Sequence, residues 1–79
     1  MKAERAVQQY RMDMEREVAR LRAMADYELV PLQDAVDIGE ATDDERRALR
    51  AWKKYRIELN RISAQIGSSK DIVWPVMPN

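Results

Sequence analysis

Side chains able to do chemistry are scarce in this sequence and poorly placed for it. The 79 residues include no histidine and no cysteine, so it has no imidazole base, no thiol nucleophile, no disulfide and no imidazole or thiolate metal site. Its oxygen donors gather at Asp34, Asp37, Glu40, Asp43 and Asp44, a string that could suggest calcium. An EF-hand loop needs oxygen ligands in alternation, and Val36 and Ile38 stand where those oxygens are required. The carboxylates read better as helix-end charges and turn residues. Ser63, Ser68 and Ser69 fall at a helix end and in a linker, where serine caps and turns the chain, and no glycine-rich phosphate loop is present. The expectation is a non-enzyme with no catalytic, cofactor-binding or metal-binding residues.

Recognition chemistry is better represented. Arg46, Arg47, Arg50, Lys53, Lys54, Arg56 and Arg61 interleave with Trp52 and Tyr55, a pattern that could hold a nucleic acid backbone. Against that stand equal totals of 14 basic and 14 acidic residues and the placement of both aromatics on the apolar side. A solvated face, or a dock for an acidic partner, fits better, and no nucleic acid partner is expected. Membrane binding is not expected either, because acidic residues are scattered over the polar faces and no run of about 18 apolar residues occurs. The default is a soluble, cytoplasmic protein. Trp52 reads as a core anchor and Tyr55, at the edge of the seam, as either core or contact. Trp74, in an extended tail, reads as an interface hot spot. Met12, Met14 and Met24 read as adaptable packing.

These residues must be positioned by helices. Thr42 followed by Glu45 is a capping box, so a helix starts at Asp43 with Asp43, Asp44 and Glu45 at its positive end. Along it Leu49, Trp52, Leu59, Ile62 and Ile66 share one face, with Ala48 and Tyr55 on its flanks. Upstream, Ala3 to Val36 is rich in strong helix formers. Its apolar positions are Val7, Tyr10, Met14, Val18, Leu21, Ala25, Leu29, Leu32 and Val36, an eleven-residue period of about 3.67 residues per turn, so the stripe runs almost straight. Pro31 clashes with the carbonyl of Tyr27 and must kink or break this helix; the stripe keeps phase across it, which favours one bent helix over two. Gly39 supplies the left-handed residue that ends it.

Two helices joined so briefly must fold back antiparallel. The fold class is thus all-α, an antiparallel hairpin with a long first helix kinked near Pro31, self-associating as a coiled coil or bundle, with an extended proline-containing tail. The division expected is residues 1–29 as a long oligomerisation arm, 30–66 as the hairpin and 67–79 as the tail. Residues Val7, Tyr10, Met14, Val18 and Leu21 on the overhanging arm would face water in a monomer, so another subunit should cover them. The tail, with Trp74 and Pro75, either packs back on the hairpin or inserts into a partner.

Size points the same way. A chain this short buries only roughly 60% of the surface its unfolded form exposes, and without cysteine or histidine the stabilising device left is association. Six basic and nine acidic residues from Met1 to Glu40 oppose eight and five from Ala41 to Asn79, a polarity suited to antiparallel or head-to-tail contact.

Three stretches together carry a family likeness: Ala41-Thr42-Asp43-Asp44-Glu45; Ala51-Trp52-Lys53-Lys54-Tyr55-Arg56 with Leu59-Asn60-Arg61-Ile62; and Asp71-Ile72-Val73-Trp74-Pro75. With the preceding run from Val30 to Gly39, they resemble the carboxy-terminal domain of bacteriophage tail fibre assembly chaperones. The resemblance covers about Val30 to Pro78. It implies a non-catalytic partner of a phage or tailocin tail fibre, acting at the fibre's carboxy-terminal tip so that three chains fold in register. It also implies residence in the bacterial host cytoplasm, with retention on the virion left open. On that likeness Trp52 and Tyr55 fix the hairpin, Lys53, Lys54 and Arg56 form a polar contact surface, and Trp74 and Pro75 dock the tail. Family members resembling the chain usually carry a variable amino-terminal domain that grips the fibre tip. Its absence here implies a fragment or a short relative that recognises its fibre elsewhere.

Overall fold

In the computed structural model the described residues are 2–66 and 72–78, with side chains described from residue 8 onward. Two helices occupy most of that length: α1, Lys2–Asp37, and α2, Asp43–Gln65. They pack antiparallel as a hairpin. The molecule measures 56 × 18 × 18 Å, the length of α1 by the width of two helices.

The connection is specified residue by residue. At the end of α1 the amide of Gly39 donates to the Val36 carbonyl at 3.0 Å and the amide of Glu40 to the Ala35 carbonyl at 2.9 Å, the paired bonds of a Schellman cap. That cap needs a left-handed residue, and Gly39 has φ +74°. At the start of α2 the Thr42 hydroxyl accepts from the Glu45 amide at 3.1 Å while the Glu45 carboxylate accepts from the Thr42 amide at 2.9 Å, so the capping box forms as the spacing predicts. Asp43 and Asp44 pair forward with Arg46 and Arg47 along the same turn.

Helix α1 runs unbroken through Pro31, which settles the choice between one helix and two. The proline lies on the exposed side, as does Tyr27 one turn earlier, so the carbonyl that loses its helical donor faces water. The core is a single seam: Val18, Leu21, Ala25 and Leu29 from α1 against Leu49, Trp52, Tyr55, Leu59 and Ile62 from α2. Arg56 of α2 donates to Asp26 of α1 at 3.2 Å, a pair thirty residues apart that marks the register. Ala25, fully buried, is the small residue of that seam. No helix among the described residues is long and apolar enough to cross a membrane.

Candidate functional site

Three surfaces follow from this packing: the arm, the outer face of α2 and the tail. The arm exists because α1 has 36 residues and α2 has 23, a difference of 13, or about 20 Å of helix. Among the described side chains none before Val18 is buried. Tyr10 remains 47% exposed, Met14 is half-buried, and the Val7 side chain lies outside the described residues. Gln9 donates to Asp13 at 2.9 Å and Arg16 lies 4.0 Å from the same carboxylate, pairs made within the helix.

The free stripe is shorter than the sequence pattern predicts. Val18 and Leu21, expected on an exposed oligomer face, are core residues of the chain itself. The physical reason lies at the far end of α2, where Ile62 continues the seam and Ile66, Ile72 and Trp74 pack against the same cluster, so cover reaches one turn further out along α1.

Tyr55 also belongs to the seam. It is 3% exposed, its ring meeting Trp52 edge-on at 84° with centroids 5.9 Å apart, a favoured aromatic geometry. Burial pushes its phenol above the ordinary value, the Arg20 guanidinium pulling back and the Glu17 carboxylate adding to the rise. Glu17 and Arg20 form their own pair, with Arg20 donating through Nε at 3.2 Å and Nη2 at 2.6 Å. That hydrogen bond holds the Glu17 carboxyl below its usual range.

On the outer face of α2 the basic residues separate into two groups. Arg56, grouped with Lys53 and Lys54 in the sequence, is half-buried and tied to Asp26 across the seam, so its guanidinium serves the hairpin. Lys53 and Lys54 are exposed, Lys54 standing 4.0 Å from Glu58. They line a shallow depression with Arg47, Arg50, Ala51 and Ile57, and Ile57 is 50% exposed at its edge. An isoleucine presented among cations was not singled out from the sequence, because it lies off the apolar stripe.

The tail folds back. Ile72 and Trp74 pack partly into the core cluster, Trp74 and Pro75 lying beside Glu58, Arg61 and Ile62, and Val76 to Pro78 beside Ala51, Lys54 and Tyr55. Trp74, expected as an intermolecular hot spot, is thus half-buried in its own chain. The chain resolves the alternatives for the tail in favour of return, since an extended segment with side chains alternating about its axis puts Ile72 and Trp74 inward while Val73 points out.

Among the described residues no group of histidine, cysteine, aspartate or glutamate could hold a metal ion. The arrangement offers apolar and charged surfaces suited to binding.

Comparison with known proteins agrees with the sequence resemblance. Residues 2–79 match the family described as Caudovirales tail fibre assembly protein, lambda gpK, and the chain belongs to that family. Protein TfaD of Escherichia coli K12 is 47% identical over 58 residues, covering 73% of this chain and 30% of that protein. The tail fiber assembly protein of Escherichia phage lambda is 45% identical over 58 residues, 73% of this chain and 29% of its own length. A probable tail fiber assembly protein of Shigella phage SfV is 50% identical over 50 residues, 63% of this chain and 27% of that protein. The chain thus spans less than a third of the length of these relatives. No solved structure matches it significantly.

Proposed function

We propose that this chain, as a member of the tail fibre assembly family, is a non-catalytic chaperone domain that helps a phage or tailocin tail fibre fold and trimerise in register at its carboxy-terminal tip. The observation that carries the reading is the match across residues 2–79 to tail fibre assembly proteins. The geometry supports it from another side. Assembly needs chain ends held near one another rather than bonds made or broken, and tethering raises local concentration without new contacts. A rod with an unmatched arm suits that work if copies meet through Val7, Tyr10 and Met14, a contact that would cover the exposed Tyr10 ring. Lys53 and Lys54 then remain as a polar contact surface. The setting is the cytoplasm of the bacterial host.

The exposed Tyr10 and half-buried Met14 also favour a plainer reading, a helical module that only brings copies together. Co-expression with the tail fibre protein of the same phage genome separates the two. A chaperone raises the yield of soluble, trimeric fibre above that of the fibre expressed alone; a yield unchanged by the chain, while the chain itself self-associates, leaves only the plainer module.

A further inference from the structure

We propose that the basic depression on the outer face of α2 receives the acidic turn of a second copy of this chain. The proposal rests on the reading above only for its premise that copies meet, and it names a surface separate from the arm.

The charges are more sharply sorted than the halves of the sequence suggest. Between Val30 and Glu45 there are six acidic residues and no basic one. Between Arg46 and Arg61 there are seven basic residues and only Glu58 opposing them. The fold places the first group at the turn end of the rod, and Arg47, Arg50, Lys53 and Lys54 of the second around the depression on the outer side of α2. Each group is only partly neutralised at home: Asp43 and Asp44 pair with Arg46 and Arg47, Lys54 stands 4.0 Å from Glu58 and Arg56 bridges to Asp26. Among the described residues Arg50 and Lys53 make no ion pair, and neither do Asp34, Asp37 and Glu40; Asp37 accepts only from Gln33, at 2.8 Å.

Each surface also carries an apolar side chain in water. Ile38 is 71% exposed, flanked by those three carboxylates. Ile57 is 50% exposed beside Arg50, Lys53 and Lys54. The turn is closed by its own hydrogen bonds, so Ile38 is presented on a rigid mount and little freedom is lost when it docks. The turn cannot reach the depression of its own molecule, because both belong to one packed hairpin. Turn against turn, or basic face against basic face, sets like charges together and is disfavoured. Turn into depression is the pairing left, a heterologous contact that closes a ring when the rotation allows.

The test is sedimentation equilibrium of the full chain at about 0.01 M and about 1 M salt, where the screening lengths are roughly 30 Å and 3 Å. One variant reverses the turn (Asp34→Lys, Asp37→Lys, Glu40→Lys) and another the face (Arg50→Glu, Lys53→Glu, Lys54→Glu), with helix content checked for both. At low salt each variant alone loses at least about tenfold in association constant, and an equimolar mixture recovers it because turn and face are complementary again. Association unaffected by either reversal, or a mixture of two folded variants that recovers nothing, overturns the proposal; so does a wild-type chain that remains monomeric at low salt, which leaves the depression to a different acidic partner. Failure is distinguishable from failure of the chaperone reading: reversals without effect alongside a raised fibre yield sink only this contact. Active reversals with no gain in fibre sink only the chaperone.

Discussion

Trp52 is the largest side chain in the buried seam, and its ring, 6% exposed, meets Tyr55 edge-on. Replacing it with alanine removes that ring and leaves a void that two helices cannot close around. Trp52→Ala therefore costs about 3–5 kcal/mol, a large part of the stability available to so small a domain, and thermal unfolding followed by circular dichroism should show the cooperative transition lost or moved far down. A melt close to that of the parent chain would mean the ring contributes contact rather than core. The roles of single residues were unevenly legible. Thr42, Glu45, Gly39 and Trp52 announce themselves by local chemistry and spacing. Tyr55 and Arg56 do not, because both lie at the edge of the apolar stripe, where a few tens of degrees of helix rotation decide whether a side chain is buried, exposed or bridged to Asp26. The short turn does fix which residues of the two helices stand level, so the Asp26–Arg56 pair could have been found by laying the helices in that register.

At the scale of the element, Pro31 is an anomaly with a measurable consequence. It occupies the middle of a 36-residue helix, where proline costs about 3 kcal/mol relative to alanine. Its ring stands on the exposed side, so Pro31→Ala removes no core contact and restores a main-chain donor to the Tyr27 carbonyl. The variant is expected to be more stable by about 1–3 kcal/mol, the looser unfolded chain returning part of the gain, as read from denaturant midpoints; a loss of stability would show that the proline shapes α1 to fit α2. The persistence of the helix was legible because Ala25, Leu29 and Leu32 keep one face across the proline. The extent of the free arm was not. It depends on how far α2 and the returning tail reach, and the tail's path is set by Ile72 and Trp74 finding the end of the seam, a long-range packing outcome that no local pattern encodes.

The whole molecule is a rod whose two ends differ in kind, one a bare helix with Tyr10 and Met14 on its apolar side, the other a tight acidic turn. The combined change Tyr10→Ser and Met14→Ser lies outside the seam, so hairpin melting should move by less than about 0.5 kcal/mol. Self-association through the arm should weaken all the same, equally at low and high salt because the contact is apolar. Sedimentation across a concentration series reads this, and association unchanged by the double substitution would remove the arm from the interface. One further consequence concerns the returning tail. Residues 72–78 are not helical, and Ile72 and Trp74 hold the strip to the core cluster by side-chain packing, so it can peel away without breaking a turn of either helix. Peeling strips the cover from Ile62 and its neighbours at a stroke, giving the rod a detachable flap that a competing hydrophobic segment could displace and occupy.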